Sequence, residues 1–113
     1  MKGYHFILDA ECRDKKKLGD QELINRILLE LPMLVGMNRI IEPLIVKGAS
    51  YNPGLTGVVI LETSNILIHT FTKENKISID IFSIKEIDEQ AVTSYLNRFF
   101  NLKVIRQNLV DRL

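Results

Sequence analysis

Hydrophobic and polar positions change their period several times along this chain, and each change marks an element. Tyr4 to Ala10 is apolar and aromatic, which predicts a strand. Asp20 then precedes Leu23, Ile24, Ile27, Leu28 and Leu31, which fall on one helical face behind a residue suited to cap it. Pro32 predicts a kink or a stop, and Gly36 an end. Arg39 to Val46 reads as a second strand, with Pro43 suggesting an edge or a bulge, and Gly48 to Gly54 as a loop rich in turn formers. Val58 to Leu61, Ile66 to Phe71 and Ile77 to Phe82 predict an antiparallel meander. In the last of these, Ile77, Ile79 and Ile81 alternate with Lys76, Ser78 and Asp80, so one face belongs to the core. Asp88 is placed to cap a second helix carrying Val92, Tyr95, Leu96 and Phe99, and Lys103 to Ile105 starts a final strand. The predicted order is β-α-β-β-β-β-α-β, an α+β single-domain two-layer sandwich over residues 1–113, with two helices on one face of a mainly antiparallel sheet.

Composition narrows the chemistry more than the fold. A chain of 113 residues with 46% hydrophobic content suits one domain with a modest core. Fifteen basic residues balance 14 acidic ones, and the net charge of +1 supplies no field for nucleic acid or an anionic membrane. The Lys15-Lys16-Lys17 run reads as a solvated loop. Apolar runs such as Gly57 to Leu61 are far shorter than a bilayer span, and Met1-Lys2-Gly3 is not followed by a signal-peptide apolar region, so the expected location is cytoplasmic. The single Cys12 permits no internal disulfide and reads as a small buried side chain, and His5 and His69 lie too far apart in sequence to suggest a metal site. Gly54-Leu55-Thr56-Gly57 lacks the lysine and following hydroxyl of a phosphate-binding loop. Glu62 and Asp80 could approach across strands, although a carboxylate pair of this kind is more often a solvated face.

Three marks in Gly57 to Phe82 carry a stronger signal: Gly57-Val58-Val59, then Ser64 followed by Ile68-His69-Thr70, then Ile79-Asp80-Ile81-Phe82. This stretch resembles the core of the small prokaryotic S-adenosylmethionine decarboxylases, and Gly3-Tyr4-His5-Phe6 with Glu11-Cys12 is similar to the family's first strand. The resemblance implies the pyruvoyl-dependent chemistry of polyamine biosynthesis. The hydroxyl of Ser64 would attack the carbonyl of Thr63 and convert that amide into an ester, and β-elimination would then cut the chain and leave a pyruvoyl group at residue 64. No added cofactor is implied. By residues alone, Ser64 reads equally as a hairpin-turn serine and His69 as a half-buried polar residue on a strand. By resemblance, Ser64 and His69 are the catalytic pair, Thr56 and Thr63 support processing, and Phe71 and Glu74 contact an S-adenosylmethionine-like ligand.

Several positions depart from the family's pattern. Thr63 replaces the glutamate before the cleaved serine, with Glu62 one step early; Ile84 replaces the cysteine that protonates the product carbon. Lys73 replaces the glutamate that helps to hold the nucleoside, with Glu74 one step late, while Phe71 keeps a ring able to stack. The family's His-x-Phe pair falls on Gly48 and Ser50, and its neighbouring serine is Thr56. These departures lead us to expect incomplete or absent cleavage and an impaired decarboxylase. The alternatives are an active pyruvoyl-dependent enzyme and a non-catalytic module that pairs with an active paralogue. A homodimer is expected in either case, since helices on one face leave the other face of the sheet to be covered.

Overall fold

The computed structural model describes residues 1–113, and its elements follow the predicted order: β1 (Gly3–Cys12), α1 (Gln21–Leu34), β2 (Leu44–Lys47), β3 (Leu55–Leu61), β4 (Ser64–Phe71), β5 (Lys76–Ser83), α2 (Glu89–Phe100) and β6 (Leu102–Arg112). The six strands form one antiparallel sheet in the order β2-β3-β4-β5-β1-β6. β1 is therefore not an edge: it runs between the meander and the last strand.

Both helices start at their aspartates. Asp20 accepts a hydrogen bond from the Leu23 amide and Asp88 from the Ala91 amide, each at 3.1 Å, which satisfies a donor that a helix start otherwise leaves open. Pro32 sits inside the last turn of α1, and the helix ends two residues later, with Gly36 in the left-handed region at φ 67°. Leu23, Ile24, Ile27, Leu28 and Leu31 are all buried against the sheet. Gly57 makes that approach possible, because a Cβ there would meet Leu28 Cδ1 at 2.8 Å and Ile24 Cγ2 at 3.1 Å. Thr70 ties the layers together from within: its buried hydroxyl donates to the Leu18 carbonyl and accepts from the Leu55 amide, both at 2.8 Å.

The strand read as Arg39 to Val46 is shorter than expected. Only Leu44–Lys47 pairs as a strand, and the preceding residues meet β3 through an isolated Arg39–Leu61 bridge. Pro43 has no amide proton for the ladder. The three lysines lie in a 3-10 turn, Lys15–Gly19, rather than in an open loop. Cys12 is buried as expected, its thiol donating to the carbonyls of Phe100 and Asp14, and burial pushes its pKa up. No helix is long and apolar enough to cross a membrane.

Ile77, Ile79 and Ile81 are fully buried beneath the helices, so they do not report the face that lacks cover. That face is made by the alternate residues of each strand, among them His5, Ile7 and Asp9 of β1, Leu67, His69 and Phe71 of β4, and Ser78, Asp80 and Phe82 of β5, all half-buried.

On the helical layer, Tyr95 donates to Glu30 Oε1 at 2.6 Å, and Arg26 reaches the same carboxylate at 3.3 Å. Tyr95 packs edge-on against Phe99 at 5.1 Å, and the Arg26 and Arg98 guanidiniums lie over the Phe99 ring at 5.3 and 5.5 Å. Burial, reinforced by the bond to Glu30, pushes the Tyr95 pKa far above the ordinary tyrosine value. The folded state thus keeps a proton that the unfolded state releases above about pH 10. The stabilisation is complete below that value and declines as pH rises further. Urea unfolding should therefore show a steeper loss of stability between about pH 9 and about pH 11 for the wild type than for Tyr95→Phe. At neutral pH, the variant should be less stable by about 1 kcal/mol. Equal pH slopes would contradict the assignment.

Candidate active site

β3 and β4 are joined by the two residues Glu62 and Thr63, since Leu61 and Ser64 are already paired. Thr63 is in the left-handed region at φ 58°, a conformation that a β-branched residue adopts only at a cost. Its hydroxyl donates to the Glu62 carbonyl. The peptide bond that follows is the one the family chemistry would break. On its far side, Ser64 is buried and its Oγ has no hydrogen-bond partner. A buried hydroxyl is normally paired, so a strained residue followed by an unpaired serine hydroxyl is a distinctive combination. Ser83 shares this face of the sheet and is fully buried, with its Oγ accepting from the Lys85 amide at 2.9 Å.

His69 is elsewhere. Ser64 points to the helical side with Ile66, Ile68 and Thr70, whereas His69 is on the open face with Leu67 and Phe71. Five residues of extended strand add about 16 Å to that separation. The spacing that relates the two in sequence therefore does not bring them together within one chain. His69 pairs instead with Thr56, its direct partner on β3, through a hydrogen bond of 2.9 Å between Nδ1 and Oγ1. Glu62 and Asp80 also do not meet: Glu62 is in the turn near Asn38, and Asp80 accepts from His5 Nε2 at 3.0 Å. Cys12 lies at the opposite end of β1 from the residue paired with Ser83, and cannot serve the Ser64 turn.

The registers place Thr56, His69, Ser78, Asp9 and Arg106 in one row across five strands of the open face. Within it, Ser78 donates to Asp9 Oδ1 at 2.7 Å. Beside the row is a cavity of about 320 Å³ lined by Asp9, Ser78, Phe71, Glu74, Lys76 and Ile105, among others, so Phe71 and Glu74 line one cavity. The Phe71 ring is 6.4 Å from the imidazole of His69. A larger depression of about 810 Å³ between the start of α1 and β2 is lined by none of these residues. Lys73 donates to the Ser50 carbonyl at 3.2 Å, so two of the departures from the family pattern touch each other and hold the Gly48 to Gly54 loop against the end of β4.

Asp9 and Ile105 were not singled out by the sequence. Strand alternation places Asp9 on the polar side of β1, but its nearness to Phe71 depends on β5 and β1 being neighbours, and that of Ile105 on the register irregularity of β6 opposite Asp9 and Ala10. Strain at Thr63 generates a test. With cleavage blocked by Ser64→Ala, Thr63→Gly should raise stability to urea by about 1 kcal/mol, because glycine adopts a positive φ without the steric penalty. A lower stability would show that the turn does not hold Thr63 under strain.

Comparison with known proteins identifies the family. The family model described as S-adenosylmethionine decarboxylase matches residues 4–113. The S-adenosylmethionine decarboxylase proenzyme of Pyrococcus abyssi is 31% identical over 103 residues, covering 86% of this chain and 69% of that protein. The proenzyme of Caldicellulosiruptor saccharolyticus is 29% identical over 112 residues, covering 97% of this chain and 87% of that protein. The crystal structure of the adenosylmethionine decarboxylase from Aquifex aeolicus shares the fold at a TM-score of 0.74 and 21% identity, covering 97% of this chain and 88% of that one. The chain therefore belongs to the S-adenosylmethionine decarboxylase family.

Proposed function

We propose that this chain is a divergent pyruvoyl-dependent decarboxylase of S-adenosylmethionine that cleaves itself slowly at Thr63-Ser64 and turns over poorly. The observation that carries this reading is the unpaired, buried Ser64 hydroxyl directly after the strained Thr63. In the proposed step, Ser64 Oγ bonds to the Thr63 carbonyl carbon while that carbon releases the Ser64 nitrogen. Loss of the Ser64 α-proton then expels the Thr63 carboxylate, and water replaces nitrogen, as ammonia, to leave a pyruvoyl group at residue 64. Strain at Thr63 favours the attack, and the unpaired hydroxyl needs no bond broken before it moves. Once formed, the pyruvoyl group supplies an electron sink for the carbanion left when carbon dioxide departs.

Other residues act on the substrate. Phe71 offers a ring for the nucleoside base, and Glu74 an acceptor at the cavity mouth, already shared with Lys76 at 3.7 Å. His69, oriented by Thr56, can take or return a proton on the open face. Ser64 and His69 are on opposite faces of β4, so a site using both requires cleavage to release residue 64 from the turn; the open face, which carries His69, is the face that a second copy of the chain would cover. Proton delivery to the product carbon is the weak point, since Ile84 stands where the family pattern has its acid and packs against the core.

Sedimentation at micromolar concentration should show a homodimer, and a monomer alone would count against the open face as an interface. Denaturing mass spectrometry should show mainly the full chain of 13.0 kDa with a minor population split before residue 64. Release of carbon dioxide from carboxyl-labelled S-adenosylmethionine should be weak and abolished by Ser64→Ala. Ile84→Cys combined with Thr63→Glu and Lys73→Glu should gain more activity than any single change, within the roughly hundred-fold to ten-thousand-fold that general acid catalysis commonly supplies. Complete cleavage with robust release by the wild type would refute impairment, and no Ser64-dependent release even from a folded, cleaved triple variant would refute the enzyme reading.

A further inference from the structure

We infer that Ser83 is the proton relay of the self-cleavage step, passing the hydroxyl proton of Ser64 to the nitrogen that leaves Thr63. This rests on the decarboxylase reading above, and it supplies a proton path that His69, on the opposite face of β4, does not offer in the uncleaved chain. The register of β4 and β5, continued one residue beyond the Asn65–Phe82 pair, sets Ser64 and Ser83 opposite each other on the helical side. Both are buried, at 6% and 0% exposure, and Ser64 Oγ has no partner. Ser83 Oγ accepts from the Lys85 amide at 2.9 Å, and Lys85 Nζ donates to the Gly36 carbonyl at 2.7 Å, so the Ser83 hydroxyl is held by a clamped turn. One accepted bond leaves Ser83 with a lone pair and its hydroxyl hydrogen unused.

Of the residues that pair with Ser64 or flank it on this face, Leu61, Val59, Ile66 and Ile81 are apolar, and Ser83 alone carries a polar group. The Thr63 hydroxyl is committed to the Glu62 carbonyl, and Tyr4 pairs with Ser83 on the side away from Ser64. Directly opposed residues of antiparallel strands have Cβ atoms about 4.5–5.5 Å apart, a gap that rotation of the Ser64 side chain can close. As Ser64 Oγ bonds to the Thr63 carbonyl carbon, its proton passes to Ser83 Oγ. The proton that Ser83 already carried passes to the Ser64 nitrogen while the carbon–nitrogen bond breaks. Ser83 ends as a hydroxyl, the nitrogen leaves as an amine, and no charged base has to be kept in an apolar surrounding.

The test follows cleavage of the purified full-length chain over time by denaturing mass spectrometry, with and without hydroxylamine. Hydroxylamine splits an ester between Thr63 and Ser64 and leaves serine at residue 64, so ester formation is read separately from the later elimination. Ser83→Ala should slow hydroxylamine-dependent cleavage about a hundredfold, whereas Ser83→Thr, which keeps the hydroxyl, should stay within about threefold of the wild type. Ser83→Asn separates the relay from support of the turn, because its side-chain oxygen still accepts the Lys85 amide but carries no proton to pass on. It should cleave as slowly as Ser83→Ala; cleavage at the wild-type rate would assign Ser83 to the turn alone and overturn the relay. If Ser83→Asn does not fold, the contrast between alanine and threonine decides. Equal cleavage by a folded Ser83→Ala chain and the wild type overturns the inference and leaves the decarboxylase reading intact. No cleavage of the wild type, even with hydroxylamine, overturns both.

Discussion

Successive side chains of a strand point to opposite sides, and in β4 that rule divides the chemistry of the molecule in two. Ser64, Ile66, Ile68 and Thr70 face the helices; Asn65, Leu67, His69 and Phe71 face away from them. The helical side requires apolar residues or fully bonded polar ones, and Thr70 complies with a donor and an acceptor. Ser64 does not comply, and it occurs at the turn where the backbone is also strained. The two irregularities coincide because the serine sits at the end of the strand, where neighbouring strands no longer dictate what its hydroxyl meets.

On the other side, the registers align a polar row through five strands. Its residues bond along the sheet, Thr56 to His69 and Ser78 to Asp9, which orients each side chain before any ligand arrives. The face mixes Ile7, Leu67, Phe71 and Phe82 with carboxylates and imidazoles, all of them half-buried.

The departures from the family pattern have physical partners. Lys73 grips the Ser50 carbonyl, so the position that lost a carboxylate now anchors the loop that lost an aromatic ring. Ile84 adds its side chain to the core. Each of these side chains thus makes a contact within the folded chain.

Much of the fold was legible in the sequence because it is local. Aspartate caps at Asp20 and Asp88, helical spacing of Leu23 to Leu31, and alternation in Ile77 to Phe82 are properties of neighbouring residues, and each element formed where those patterns placed it. Strand ends were less legible, as at Arg39 to Leu44, where pairing depends on which amides a neighbouring strand can reach. Of the site, the motif residues themselves were visible, whereas the cavity that Phe71 and Glu74 both line was not. The union of Ser64 with His69 was not a fact that spacing could establish, because five residues along a strand mean separation, whereas the same five around a helix or a loop would not. Asp9 came to the cavity only because β1 inserts beside β5, far away in the chain. Sequence determined the elements and the alternation of faces along each strand; strand order and register, set by long-range packing, decided which residues meet.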